Sequence, residues 1–218
     1  MKDALPKFYR FLDRPLYLWS RGVLAALVLP LALSIFLPLW RIHMEAPQYP
    51  DGLTVDIYTY KLQGGNDGRD LPEINTLNHY IGMRHIDRSE MNDLDWMPFA
   101  LGGLALLALR VAAIGNVRAL LDLGVLVVYV FGFAFARFVF KLYSFGHDLS
   151  PDAPMKVAPF TPAILGTKQI ANFLTSSLPR SGALLGGVFV GGVLLLLLLH
   201  LVRGRLDAAR GELLAVAP

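Results

Sequence analysis

The sequence predicts an all-α integral membrane protein with four transmembrane helices and two outer, periplasmic segments that contain short strand and helix elements. Its composition supports this class. Hydrophobic residues make up 55% of the 218 residues and charged residues only 17%, whereas soluble chains carry about 25% charged residues. The mean hydropathy is +0.49, and the apolar residues are concentrated in four long runs. This distribution excludes a free cytosolic enzyme.

The four apolar runs are the predicted membrane spans. A helix that crosses a bilayer needs about 20 mostly apolar residues. Four segments meet this requirement, in chain order Val23–Trp40, Met97–Ile114, Leu120–Phe140 and Ala183–Val202. Residues 1–22 and 203–218 are then cytoplasmic, and residues 41–96 and 141–182 are periplasmic. A cleaved signal peptide is an alternative for the first run, but its length and the lack of an Ala-x-Ala site after it favour an uncleaved anchor.

The charge distribution predicts the orientation. Lysine and arginine near helix ends are retained on the cytoplasmic side. Ten such residues flank the runs on one side: Lys2, Lys7, Arg10, Arg14, Arg21, Arg110, Arg118, Arg203, Arg205 and Arg210. Residues 41–96 instead contain ten acidic and five basic residues. We therefore predict a bacterial cytoplasmic membrane protein with both termini inside, and the net charge of +3 requires no nucleic acid partner.

Both periplasmic segments contain patterns of short secondary structure. In the first, Leu53–Leu62 alternates apolar and polar residues and predicts a strand, whereas Ile74–Met83 predicts a short helix. In the second, the proline-rich stretch Pro151–Pro162 predicts extended chain. The following Gly166–Ser176 predicts a helix that lies at the membrane surface.

Charged side chains supply two further features. Arg137 lies late in the third helix, and ionisable groups at membrane depth are usually functional or paired. Structural anchoring is the favoured interpretation, with Asp148 or another carboxylate of the outer segments as the partner. Three acidic residues, Asp67, Asp70 and Glu73, lack the spacing of an EF-hand calcium loop. We interpret them as solvated surface.

Glycines in the fourth helix predict close helix packing. Gly182 and Gly186 are separated by three residues, as are Gly187 and Gly191. This spacing lets two helices approach closely in lipid, and the partner is either another helix of the chain or another protein. His200 lies near the far end of the same helix, where a haem would need a second axial ligand at matching depth. The sequence offers none.

Histidine and methionine are concentrated in the predicted periplasmic segments. Four of the five histidines and five of the six methionines lie in or at the edge of them: His43, His79, His85, His147, Met44, Met83, Met91, Met97 and Met155. The chain has no cysteine, and imidazole with thioether is a ligand set that suits copper, particularly Cu(I). The alternative is that methionine fills gaps in packing and histidine is an ordinary loop residue.

The strongest candidate copper ligands are His79, Met83 and His147. His79 and Met83 are four residues apart, so a helix places them on one face. A third ligand has to come from the other periplasmic segment, where His147 lies just past the third helix. The site therefore requires the two segments to meet. The sequence contains no P-loop, G-x-S-x-G or HExxH motif, and no catalytic site is predicted.

Several runs of the sequence resemble a small family of bacterial membrane proteins. They are Leu39–Ile42, Ala46–Leu53, Ile74–Met83, Gly146–Pro151, Gly166–Gln169 and Asn172-Phe173. We associate this family with gene clusters for periplasmic copper enzymes, particularly nitrous oxide reductase and its copper-handling accessory proteins. The resemblance implies a non-enzymatic role in copper-site maturation or electron delivery, and the three candidate ligands fall inside the resembling runs.

Two functions follow from these features. The first is a membrane accessory protein that handles copper, or docks a periplasmic copper enzyme or its chaperone. The alternative is a structural subunit of a respiratory membrane complex that binds no metal. A transporter fits less well because the helices lack a polar midplane line or paired broken helices. The expected partners are the lipid bilayer and another protein.

Overall fold

A computed structural model describes residues 11–170 and 172–216, with side chains described as far as residue 204. The helices are α1 (Leu18–Ala26), α2 (Val28–Phe36), α3 (Asp70–Tyr80), α4 (Asp93–Ile114), α5 (Val117–His147) and α6 (Ser181–Val216). The strands are β1 (Trp40–Ala46), β2 (Tyr49–Ile57), β3 (Leu62–Gly64), β4 (Gly166–Ile170) and β5 (Phe173–Pro179), and a 3-10 turn covers Asn66–Gly68.

The chain divides into two compact units. The first comprises the described parts of Met1–Ala32, Gly102–Val130 and Gly187–Pro218. The second comprises Leu33–Leu101 and the described parts of Phe131–Gly186. The second unit therefore contains all five strands and α3, together with the adjoining segments of the long helices.

Four helical segments of the described chain are long and apolar enough to cross a membrane. They are Leu18–Phe36, which is α1 with α2, then α4, α5 and the Ser181–Gly204 part of α6. By helix length and composition, the prediction of a multi-pass membrane protein with four spans is confirmed. The 31 residues of α5 extend about 46 Å at about 1.5 Å per residue. Because the hydrocarbon core is about 30 Å thick, α5 is longer than a single span requires.

The prediction of an all-α fold is wrong, because the second unit contains a five-stranded antiparallel sheet in the order β3-β2-β1-β5-β4. The predicted surface helix at Gly166–Ser176 is instead the hairpin of β4 and β5. Along β5, residues alternate between buried and more exposed positions, which is the period of two that strands show. Pairing with the distant β1 stabilises this strand, and a local pattern cannot reveal that partner.

The two predictions for the first segment are closer to the structure. The predicted strand Leu53–Leu62 overlaps β2, which begins earlier and ends at Ile57, so that residues 58–61 turn the chain into β3. The predicted helix Ile74–Met83 overlaps α3, which begins at Asp70.

In the second segment, the proline-rich stretch Pro151–Pro162 contains no helix or strand.

One face of the sheet forms the core of the second unit. Its buried residues are Ala46, Leu53, Val55, Ile74, Leu77, Ile81 and Phe173. Helix α3 packs against β2 and β3, and β1 and β5 contribute Ala46 and Phe173 to the same core. Burial of each large aliphatic side chain contributes about 1.5–3 kcal/mol. The register places Arg41, His43 and Glu45 on the opposite face, beside Thr54 and Asp56 of β2.

Asp70 connects α3 to the sheet, and the interpretation of this residue as solvated surface is wrong. The side chain is 3% exposed. It accepts hydrogen bonds from the backbone N–H of Thr54 and from Asn66 Nδ2, both at 2.8 Å. A buried carboxylate is stable only when such donors replace water, and here they attach the start of α3 to β2.

The chain passes directly from the first span into the sheet and from the sheet into the last span. Leu39 N donates to Ile57 O (2.8 Å), and Arg180 N donates to Leu39 O (2.9 Å). Gly182 N donates to Pro38 O at 2.9 Å. The backbone at the end of α2 is thus bonded to the backbone at the start of α6, and Trp40, which was placed in the first span, begins β1 instead.

Within the first unit, the side chain of Arg21 on α1 caps the C-terminal end of α4. Its Nε donates to Ala112 O and its Nη2 to Ala113 O, both at 2.7 Å. These carbonyls lie in the last turn of α4, where no helical donors are available.

Both ring nitrogens of His200 have a hydrogen-bonding partner within the first unit. Nδ1 lies 2.8 Å from Leu196 O, and Nε2 accepts from Tyr17 N at 3.4 Å.

The glycines of α6 differ in their surroundings. A Cβ on Gly182 would lie 2.6 Å from Leu37 O and 2.8 Å from Pro38 O, so this glycine permits close backbone approach within the chain. A Cβ on Gly187 or Gly191 would meet no described atom within 4 Å. Close packing within the chain is therefore found at Gly182, whereas for Gly187 and Gly191 a partner protein stays as the alternative.

We predict that Gly182→Ala lowers the thermal unfolding midpoint and that Gly187→Ala does not. The first substitution forces a methyl group against backbone oxygens, and such overpacking typically costs about 1–3 kcal/mol. The second removes a glycine from an open helix face, where alanine is the better helix former. Thermal unfolding in one detergent, followed by circular dichroism, measures both. Equal midpoints for the two variants would contradict the assigned packing.

Candidate functional site

The two segments predicted to supply copper ligands meet at the end of α3. The helix ends in a Schellman arrangement, in which Met83 N donates to Asn78 O (2.8 Å) and Gly82 N donates to His79 O (3.1 Å). Gly82 has a φ of +78°, a conformation that favours glycine at this position of a helix end. The helix stop turns the chain towards the segment that follows α5.

Backbone contacts join this helix end to residues 150–155. Ser150 N donates to Gly82 O at 2.8 Å, and Met155 N donates to Tyr80 O at 2.9 Å. A Cβ on Gly82 would lie 2.9 Å from Ala153 Cβ and 3.0 Å from Ser150 O. The requirement that the two segments meet is therefore fulfilled at this junction, which we call the Gly82 junction (residues 79–84 with 148–155).

Charged side chains at the surface reinforce the Gly82 junction. Arg84 forms an ion pair with Asp148, and a second, with Glu90, at 3.6 Å. All three side chains are more than a third exposed, and exposed ion pairs typically contribute about 0–1 kcal/mol each. The backbone contacts rather than these charges hold the segments together.

Polar side chains also hold the chain that leaves the junction. Asn75 of α3 donates from Nδ2 to Ile86 O (3.1 Å) and accepts from Ile86 N (2.6 Å). Asp87 accepts from Ser89 Oγ and from Glu90 N. These two donors, the hydroxyl first, lower the pKa of Asp87, because they stabilise the ionised carboxylate.

The structure places the three predicted ligands in different environments. His79 is exposed near the end of α3. Met83 is partly buried and packs against the core of the second unit, which is the hydrophobic contact that often accompanies a Schellman helix end. His147 ends α5 with its ring stacked on Tyr143 at 3.8 Å and Nδ1 3.0 Å from Tyr143 O. The segments come together, but the Met83 side chain has a packing role.

The Gly82 junction also contains the thioether of Met155. Met155 is 46% exposed, and its backbone bonds to Tyr80, the neighbour of His79 in the sequence. No sequence spacing relates Met155 to α3, so only the folded chain associates them. Among the described residues, no group of three His, Cys, Asp or Glu side chains is placed to hold a metal ion.

Arg137 has the structural role that was predicted for it. Its Nε and Nη2 donate to the two carboxylate oxygens of Asp93, at 2.9 and 3.2 Å. Asp93 also accepts from Trp96 Nε1 at 3.2 Å. The partner is thus another carboxylate of the first outer segment, while Asp148 pairs with Arg84. The bidentate pair connects the start of α4 to α5.

The face of the sheet opposite the core is an open, mainly polar surface. Arg41 donates to Asp56 through Nε and Nη2, at 2.7 and 2.6 Å. This pairing raises the pKa of Arg41. Next along β1, His43 Nδ1 lies 3.2 Å from Thr54 Oγ1, and Nε2 lies 3.5 Å from Glu45 Oε1.

Two leucines of β5 extend the same open face. Leu174 is the cross-strand neighbour of Glu45, and Leu178 is that of Arg41. Their side chains are 42% and 50% exposed. The face thus combines paired charges with two exposed apolar side chains. We call this surface, formed by Arg41, His43, Glu45, Thr54, Asp56, Leu174, Ser176 and Leu178, the open sheet face.

Comparison with known proteins identifies no relative: the chain matches no protein-family model, no curated protein and no solved structure. The resemblance to proteins of copper-enzyme gene clusters therefore stays a prediction. The Gly82 junction and the open sheet face are the two candidate functional surfaces.

We predict that Gly82→Ala loosens the Gly82 junction, whereas Gly68→Ala does not. Both glycines have positive φ, +78° and +92°, so both substitutions strain the backbone. Only a Cβ on Gly82 overlaps neighbouring atoms, since none lies within 4 Å of one on Gly68. Hydrogen–deuterium exchange of residues 79–84 and 148–155 measures the effect. Faster exchange of both segments in the Gly82 variant alone is expected, and unchanged exchange would contradict the role of this contact.

Proposed function

We propose that the protein is a non-enzymatic accessory protein of the bacterial cytoplasmic membrane, and that its open sheet face docks a partner protein on the periplasmic side. The observation that carries this proposal is the combination of an open sheet face with a sheet bonded directly to two membrane spans. A partner bound to β1 or β5 is held at a defined height above the membrane. Such an arrangement suits docking, because little conformational freedom remains to be lost on binding.

The composition of the open sheet face supports a protein partner. Its charges are already paired, as in Arg41 with Asp56, so that burial leaves fewer unpaired groups behind. The exposed Leu174 and Leu178 provide apolar area that a partner can cover. The pairing of His43 with Thr54 and Glu45 provides polar groups for hydrogen bonds at the rim of an interface.

The charge distribution supports the periplasmic orientation. Lysine and arginine lie near the span ends away from the sheet, among them Arg21 and Arg118. The segment that contains β1–β3 and α3 carries twice as many acidic as basic residues. By the positive-inside rule, the sheet then faces the periplasm and both termini face the cytoplasm.

Site-specific photo-crosslinking in intact cells tests the docking proposal. A photoreactive amino acid at Leu174, on the open sheet face, is expected to crosslink to a partner protein that mass spectrometry identifies. The matched control carries the same group at Thr76, an exposed position on α3, which covers the other face of the sheet. We further expect Leu174→Asp to reduce the amount of that partner recovered in mild detergent at least several-fold.

A different result in these experiments would reject docking through the open sheet face. Crosslinks at Thr76 but not at Leu174 would assign the interface to the helix side. Equal recovery of the partner from wild type and Leu174→Asp would show that this face is not used. The identity and metal content of the partner would then distinguish a copper enzyme or chaperone from a subunit of a respiratory complex.

The Gly82 junction supports copper handling as a second candidate function. The junction brings the segment of His79 and the segment of His147 together, as a shared site requires, and it adds the exposed thioether of Met155. Imidazole and thioether ligands together favour Cu(I) over harder ions. We propose His79, Met83 and His147 as the ligands, with Met155 as an alternative thioether because Met83 packs against the core.

A Cu(I) competition titration in detergent tests this second function. We expect His79→Ala and His147→Ala to weaken binding at least tenfold, since each removes a ligand. The comparison of Met83→Leu with Met155→Leu identifies the thioether, and His85→Ala, an exposed histidine of the same segment, serves as the control. Equal affinity in all variants would contradict a copper site at this junction and leave docking as the function.

A further inference from the structure

The turn between β2 and β3 lies at the end of the first membrane span. Thr59 in this turn is fully buried, and its hydroxyl donates to Ile35 O at 2.9 Å. Ile35 belongs to the last turn of α2. The span Leu18–Phe36 has 19 residues, or about 28 Å of helix, which matches a hydrocarbon core of about 30 Å. The turn is therefore at the level where the first span leaves the hydrocarbon core.

Aromatic contacts with α5 independently indicate that this part of the sheet lies at the edge of the hydrocarbon core. The Trp40 ring packs on the Phe138 ring with centroids 5.0 Å apart. Phe138 lies about 32 Å along α5 from Val117 at about 1.5 Å per residue, again close to the thickness of the core. The ion pair of Arg137 with Asp93 and the Trp96 side chain lie beside it. Tryptophan and tyrosine are enriched at the membrane–water boundary.

The turn at this boundary presents one ammonium group beside two tyrosine rings. Tyr58 N donates to Lys61 O at 2.9 Å and closes the turn. Lys61 Nζ lies 4.6 Å from the centre of the Tyr58 ring and 5.8 Å from that of Tyr60. It also donates to Gln63 Oε1 at 2.8 Å. An ammonium has three N–H donors, so this hydrogen bond leaves donors for a further acceptor.

The nearby charges leave this part of the boundary positive. The carboxylate of Asp56, on the same hairpin, is already paired with Arg41. Arg180 lies at the start of α6, next to Pro179, which is the cross-strand neighbour of Trp40. The cations Lys61 and Arg180 are thus close to the headgroup level, where anionic lipids attract basic side chains.

We propose that the β2–β3 turn is a lipid-binding site, in which Lys61, beside the rings of Tyr58 and Tyr60, binds the phosphate of an anionic phospholipid headgroup. The ammonium donates to a phosphate oxygen, and the tyrosine rings lie among the glycerol and upper acyl atoms. Thr59 fixes the depth of the turn through its bond to Ile35. This site lies on the membrane side of the sheet and does not depend on the docking function.

Native mass spectrometry of the full chain released from nanodiscs tests the proposal. The nanodiscs contain equal amounts of phosphatidylglycerol and phosphatidylcholine, and the ratio of the two lipids retained by the protein is measured. Wild type is expected to retain phosphatidylglycerol preferentially. Lys61→Gln should lower this preference at least threefold, and Lys61→Arg, which keeps the charge, should preserve most of it.

Lys168→Gln is the matched control. Lys168 lies on β4 of the same sheet and pairs in register with Thr175, four residues before Pro179 on β5. At about 3.3 Å per residue, this position is about 13 Å farther from the membrane. Its substitution removes the same charge and should leave the lipid ratio unchanged.

Three outcomes would overturn the proposal. No preference for phosphatidylglycerol in wild type would mean that the turn binds no anionic headgroup. An unchanged ratio in Lys61→Gln would assign any preference to another part of the chain. Equal losses in Lys61→Gln and Lys168→Gln would mean that net charge, rather than this site, attracts the lipid. Circular dichroism of each variant verifies that the fold is retained.

Discussion

The pairing of β1 with β5 is the constraint on which the second unit depends. These strands come from distant parts of the chain, and each continues within a few residues into a membrane span. Backbone donors and acceptors that are withdrawn from water must find partners. The bonds of Leu39 with Ile57 and of Arg180 with Leu39 provide them where the chain leaves α2 and enters α6. β2 and β3 then extend the sheet on one side, β4 extends it on the other, and α3 covers its apolar face.

The close approach of backbone to backbone at the Gly82 junction completes this unit. The folded junction also shows that the residues predicted to bind copper lie in different environments. Met83 follows the helix stop and packs against the core, and His147 stacks on Tyr143, whereas His79 and Met155 stay exposed. Core packing and the proposed copper site therefore share Met83. The open sheet face is formed by other residues, so the docking proposal does not depend on whether the junction holds copper.

The paired charges follow the same physical rule at two places. Arg137 with Asp93 and Arg41 with Asp56 both place a guanidinium against a carboxylate close to the end of a candidate membrane span. A bidentate pair satisfies several hydrogen-bonding groups at once. Arg21 satisfies neutral groups in the same way, because it donates hydrogen bonds to two backbone carbonyls at the end of α4.

The sequence by itself determined the four membrane spans and the structural role of Arg137, because twenty-residue apolar runs and a charge within one of them are local properties. It also indicated a strand near Leu53 and a helix near Ile74. Only the tertiary structure decided that β4 and β5 are strands, that Asp70 is buried and that Met155 adjoins α3. Each of these depends on partners distant in the sequence, and the free energy of hydrogen bonding and burial that selects them arises only when those partners meet.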